Sequence, residues 1–200
     1  MLSDFILDAK TDDTPICQVR FENEALTESD ISRIDFDAVH FVKCKFTDCD
    51  FTRVNFYNSR FEDCDISNCK FTGSYWKGTN IKRCKAAGTD FSQGYFKEVE
   101  LEGSAFNYAN CVKTTWENST INDCSFKEAF MSEAKMKSIK LSQVDFTHVD
   151  FFKTPLKGID LSNCTIEGIL LSDTYQELRG AKINMFQAAN IVQILGVQIV

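Results

Sequence analysis

The chain has 200 residues, 44% of them hydrophobic, and 29 acidic side chains against 22 basic ones give it a net charge of −7. Nine glycines and two prolines are too few for a disordered or collagen-like chain, and no stretch approaches the roughly 18–20 apolar residues that would span a bilayer. The acidic balance, with no basic stripe, argues against direct nucleic-acid binding.

The first ten residues, from Met1 to Lys10, place an acidic residue before a very short apolar run and end on no small-residue cleavage site. They do not read as a signal peptide, so a cytoplasmic location with no membrane association is expected. Residues 1–28 read as an N-terminal segment with an irregular first coil, in which weak five-residue units begin near Thr14.

From Ile31 to Leu171 every fifth residue is large and apolar, mostly Phe, Ile, Leu, Met or Trp, with Ala86 and Cys111 as interruptions. Helices and strands have periods of 3.6 and 2, so neither explains a period of five. A short repeat held over most of a chain marks a solenoid. Two residues before each large centre stands a small or β-branched residue, as in Val39, Cys44, Val54, Ser74, Val99 and Ala129. Residues two apart share a face of extended chain, so both point inward and the three polar residues between them turn a corner.

A second period of twenty fixes the number of sides. Cys44, Cys64, Cys84, Cys124 and Cys164 are separated by multiples of twenty, as are Tyr75 and Tyr95. Four units per coil give a square cross-section, and seven coils over 34–173 give a rod on the order of 35 Å long. Gly73, Gly78, Gly88, Gly103, Gly158 and Gly168 fall two residues after a centre, where a type II turn needs positive φ. Corners with Asp or Lys in that slot are expected to use type I turns. Asp35, Asp50, Asp65, Asp90, Asp145, Asp150 and Asp160, each just before a centre, suit corner hydrogen bonding better than acid–base chemistry.

Seven of the nine cysteines occupy the small inward slot and Cys111 a centre, as buried hydrophobes would. His40 and His148 are far apart and outward, no nucleophile has an evident base, and no Gly-rich phosphate loop exists. No catalytic, metal or cofactor site is therefore expected, and the chain reads as a binding protein and not an enzyme.

Residues 174–200 leave the repeat. Asn184 reads as a helix N-cap with Gln187 as its capping-box partner, and Gly196 as the stop. Val197 to Val200 reads as a short strand. This segment either covers the last coil or joins two rods tail to tail, with Phe186, Ala189, Ile191, Val192 and Leu195 as the candidate dimer anchors.

The repeat resembles the pentapeptide-repeat superfamily, and the tail from Gly180 to Val197 resembles the terminus of the Qnr quinolone-resistance proteins. Tyr108-Ala-Asn110 and Trp116-Glu-Asn118 are similar to stretches of that family. The resemblance implies an all-β solenoid: a right-handed quadrilateral β-helix over 29–173 with a short C-terminal α-helix. It also implies a homodimer that binds DNA gyrase or topoisomerase IV by DNA mimicry and protects it from quinolones or peptide toxins. A scaffold for a different protein partner is the alternative. The repeat region runs without insertions and holds 21 acidic against 18 basic residues, so its acidity is mild. The carboxylates placed most like phosphates are Asp48 and Asp50, Glu62, Asp63 and Asp65, and Glu98, Glu100 and Glu102. Stacked Tyr75 and Tyr95 mark either a partner site or a covered corner.

Overall fold

A computed structural model describes residues 1–198 as a four-sided parallel β-helix with a helix at each end. Two adjacent faces carry three-residue strands that pair from coil to coil in seven-stranded parallel sheets. The register advances by twenty at each step, Phe36 to Phe56 to Trp76 to Phe96 to Trp116 to Met136 on the first face. On the second it runs Phe21, Phe41, Phe61, Ile81, Leu101, Ile121 and Leu141. The third and fourth faces pair mostly through single bridges, such as Lys45↔Asp65 and Asp50↔Lys70. Pairing begins at Ile16, opposite Phe36.

Each corner is set by hydrogen bonding between coils. The residue two after a centre takes a positive φ whatever its side chain: 51° at Lys43, 52° at Asp48, 55° at Asp63 and 58° at Lys113. The expected type I turns at Asp and Lys corners are therefore corrected. Only a left-handed corner aims that N–H at the next coil, as from Lys43 to the Glu62 carbonyl at 2.9 Å and from Lys113 to the Ser132 carbonyl at 2.9 Å. That bond and the inward burial of the flanking residues outweigh a local cost of roughly 1–2 kcal/mol. Six of the seven aspartates before the centres act as expected, whereas Asp35 instead accepts the Asn55 amide N–H of the next coil at 2.7 Å. Asp50 Oδ1 accepts the Thr52 N–H at 2.8 Å, and Asp65, Asp90, Asp145, Asp150 and Asp160 repeat the contact.

The interior is filled by columns of centres. Phe36, Phe56, Trp76, Phe96 and Trp116 stack with centroids 4.0–5.8 Å apart. A second column is shortened at Ala86, beside which the Phe91 ring reaches Phe106 of the following coil at 6.0 Å. Polar residues in the small slot are satisfied there. Ser74 and Thr114 accept the indole N–H of Trp76 and Trp116 at 2.7 and 3.0 Å, and Thr89 donates to the Ile66 carbonyl at 2.8 Å. Cys44, Cys49, Cys64, Cys69, Cys84, Cys111 and Cys124 are buried as free thiols. Burial pushes Cys111 up to about 12 and Cys124 up to about 11, so neither is nucleophilic near neutrality.

The ends are closed differently. Helix α1 (Leu2–Asp12), absent from the sequence reading, buries Leu2, Ile6 and Ala9 against the first coil and ties Lys10 to Asp30 at 2.6 Å. After Asp173 the chain bulges through a short 3₁₀ turn (Gln176–Leu178) and runs back over the last coil. Helix α2 (Met185–Ile194) follows, with the capping box of Asn184 and Gln187 formed reciprocally at 2.9 and 2.8 Å. Gln187 is anchored below by the Leu161 and Cys164 carbonyls. Val197 and Gln198 form no strand, and the remainder of the expected strand, Ile199 and Val200, lies outside the described residues. Among the described residues no helix is long and apolar enough to cross a membrane.

Truncating one ring in the first column, Phe56→Ala, should lower the unfolding free energy by about 3–5 kcal/mol in a denaturant titration. An effect below about 1 kcal/mol would mean the columns do not carry the core. In native protein a thiol reagent should modify Cys17 rapidly and Cys164 slowly, with all nine cysteines reacting only after denaturation. Rapid modification of several thiols in folded protein would contradict this packing.

Candidate interaction surface

A rod packed with side chains offers its outward positions as the surface for recognition. Each unit exposes the residue before its centre, the residue after it, and the corner residue. The structure places Glu62, Glu100 and Glu102 on the second face, Glu98 on the corner leading into it and Asp63 on the corner leaving it. These five lie along one side of the rod. Asp65 lies on the third face, while Asp48, on the next corner, and Asp50, on the fourth face, are turned away from that side.

The acidic side is crossed by bases at a spacing of one coil. Asp63 receives two bonds from Arg83, Nε to Oδ1 at 2.7 Å and Nη2 to Oδ2 at 3.2 Å. Lys82 Nζ sits 2.7 Å from Glu102 Oε2, and His40 Nε2 lies 3.2 Å from Glu62 Oε2. The Arg83 guanidinium holds the Asp63 carboxyl below the usual range, and the Lys82 ammonium does the same for Glu102. Glu98 and Glu100 belong to no ion pair among the described residues. Solvent-exposed pairs of this kind are weak, so their main effect is to penalise a slipped register.

On the first face Tyr75 and Tyr95 stack at 5.5 Å with their rings 24° apart. Tyr57 adjoins this stack, 5.8 Å from Tyr75 with its ring tilted by 53°. Sequence reasoning missed Tyr57 because it follows its centre while the other two precede theirs, so the twenty-residue period does not reveal it. Burial pushes the Tyr57 hydroxyl up, and the nearby Glu117 carboxylate does so for Tyr95. All three rings are half-buried against neighbouring coils.

Helix α2 divides its apolar residues between two sides. Ile191 and Ile194 pack on the end of the rod. Met185 and Phe186 stand 86% and 87% exposed, Leu195 is exposed, and Ala189 and Val192 are half-buried between the two sides. The five anchor candidates are therefore not equivalent: Phe186 and Leu195 face solvent, whereas Ile191 faces the rod.

Residues 15–91 match the model of a pentapeptide repeat region, and residues 131–168 match that of pentapeptide repeats in eight copies. The chain belongs to the pentapeptide-repeat family. A comparison with curated proteins finds no match. Among solved structures, full-length QnrB1, a plasmid-mediated fluoroquinolone resistance protein, is 21% identical, with 92% of this chain and 98% of QnrB1 covered at a TM-score of 0.50. A trypsin-treated QnrB1 variant is 20% identical, with 94% and 100% covered at a TM-score of 0.49. HetL, a pentapeptide repeat protein involved in heterocyst differentiation regulation in the cyanobacterium Nostoc, is 13% identical, with 90% and 91% covered at a TM-score of 0.37. At 21% identity the likeness to full-length QnrB1 establishes the four-sided fold alone.

Proposed function

We propose that this protein is a non-enzymatic, DNA-mimic-like ligand of a type II topoisomerase, DNA gyrase or topoisomerase IV, and protects that enzyme from quinolones or peptide toxins. In this reading two copies join through α2, and the rod of the dimer, on the order of 70 Å long, lies where the enzyme grips a DNA segment. The observation that carries the proposal is the run of Glu98, Glu100 and Glu102 along the second face and the corner leading into it. It supplies carboxylates two residues apart, and two of them, Glu98 and Glu100, belong to no ion pair among the described residues. The fold shared with QnrB1, itself a fluoroquinolone resistance protein, supports the same reading.

The half-exposed α2 supports the dimer. A helix that turns Phe186 and Leu195 to water while Ile191 and Ile194 cover the rod leaves an apolar strip for a two-fold partner. The bases interleaved with the acids favour the second reading, a scaffold for a different protein partner, because Arg83 and Lys82 cancel part of a phosphate-like field.

Purified gyrase supercoiling in the presence of a fluoroquinolone is expected to be restored by the protein, with affinity falling as salt rises. Reversing the charges at Glu98, Glu100 and Glu102 should abolish the rescue. No rescue and no gyrase binding at any concentration would leave the scaffold reading in place. Phe186→Asp and Leu195→Asp are expected to give folded monomers by sedimentation, since both side chains are exposed in the single rod. A persistent dimer would remove α2 as the joint.

A further inference from the structure

The regular stacking of the coils is broken most strongly near the C-terminal end of the rod. Along most of the rod a backbone N–H bonds the carbonyl nineteen residues on, as Ile31 does with Asp50, with one step of twenty from Gln143 to Asn163. Over the last coil the offset grows by two, as where Leu156 donates to Glu177 and Leu161 to Lys182, and by three at the corner between them, where Gly158 donates to Gly180, at 2.8–2.9 Å. The two extra residues bulge outward and open a cavity of about 640 Å³ at the corner between the fourth and first faces. Phe152, Lys153, Lys157, Ser172, Asp173 and Arg179 line it.

Its charge is opposite to that of the chain as a whole. Lys153, Lys157 and Arg179 contribute three cations, none in an ion pair among the described residues. The Lys153 ammonium sits 4.9 Å from the centroid of the Phe152 ring. Glu177 does not offset them, because its carboxylate is spent on the backbone. It accepts the Lys153 N–H at 2.8 Å, the Ser172 N–H at 3.3 Å and the Ser172 hydroxyl at 2.9 Å, and is 4% exposed. At the equivalent corners one and two coils earlier, Glu133 and Lys113 donate to carbonyls of the next coil instead. Glu177 thus closes the coil and leaves Asp173 as the one free acid in the lining.

The cavity opens onto an apolar patch. Phe130 and Leu170 occupy the same outward column of the fourth face, two coils apart on either side of Asp150, and are 50% and 57% exposed. Asp150 is engaged by the Ser132 hydroxyl at 2.7 Å and the Phe152 N–H at 2.8 Å, so it adds little free charge to the patch. Phe152, 40% exposed, belongs to both patch and cavity. Patch and cavity together extend over roughly 10 Å of stacked coils, beyond what a single small carboxylate would cover.

We infer that this corner is a docking site for an acidic peptide segment of a partner protein, with apolar side chains on Phe130, Phe152 and Leu170 and a carboxylate among Lys153, Lys157 and Arg179. An extended peptide places alternate side chains on one side, which suits apolar contacts beside a charged pocket. Arg179 can grip a carboxylate through two parallel N–H bonds, while the lysines act as point charges. The site lies on the fourth face, away from Glu100 and Glu102 on the second, so a topoisomerase held there would leave it free.

The test is selection from a phage-displayed random heptapeptide library on the full-length protein, followed by fluorescence anisotropy with the enriched peptides. Enriched sequences should carry Asp or Glu beside alternating apolar residues. They should bind at least tenfold more weakly to Lys153→Glu/Arg179→Glu, and also to Phe130→Ser/Leu170→Ser, whose exposed side chains leave the core intact by circular dichroism. No enrichment, enrichment without acidic residues, or unchanged binding to either variant would overturn the inference. Full displacement of the peptide by millimolar glutarate would also overturn it, in favour of a small-carboxylate pocket.

Discussion

The interior of this rod depends on one constraint: each five-residue unit sends a small residue and a large one inward, and the next unit above must do the same at the same place. Twenty residues later the pair repeats, so Phe stacks on Phe or Trp and the coil neither widens nor tapers. Stacked aromatic pairs add about 0.5–1.5 kcal/mol each beyond their buried area. The corners follow from the stacking. Lys43 and Asp63 adopt a conformation that ordinary residues avoid, because only there does their N–H meet the neighbouring coil.

That division of labour frees the outside. Outward residues touch water and their counterparts one coil away, so they can change without disturbing the columns. The surface accordingly carries several unrelated patterns: the Arg83–Asp63 and Lys82–Glu102 ladder, the tyrosine stack, and the apolar group around Phe130 and Leu170. A fold of this kind says little about its partners, which is why function has to be argued from one face at a time.

The ends are where the repeat stops protecting itself. A parallel coil finishes on unpaired N–H and C=O groups, and both termini cover them. Helix α1 does so with Leu2, Ile6 and Ala9. At the other end Glu177 lends a carboxylate to the Lys153 and Ser172 N–H groups, and Gln187 reaches back to the Leu161 and Cys164 carbonyls. Substituting side chains for a missing coil breaks the strict register, and the cavity beside Phe152 is the geometric consequence.

The period of five, the period of twenty and the inward slot were legible in the sequence because each is a local steric rule repeated many times. So was the capping box of Asn184 and Gln187, which needs only four consecutive residues. The sequence also named Tyr75 and Tyr95 as a stacked pair and the acids of the second face as neighbours, since twenty residues bring equivalent positions together. The alternation of sign from Glu62 and Asp63 to Lys82 and Arg83 to Glu102 is also written at the twenty-residue spacing, and only the two-bond grip of Arg83 on Asp63 needed the corner's shape. The sequence could not place Tyr57 beside the stack, give Asp and Lys corners a left-handed backbone, or reveal α1, whose apolar residues have no repeat to announce them. Which side of α2 meets water was decided only by docking. Ile191 and Phe186 are equally apolar on paper, and it is the angle at which Gln187 pins the helix to the last coil that buries one and exposes the other.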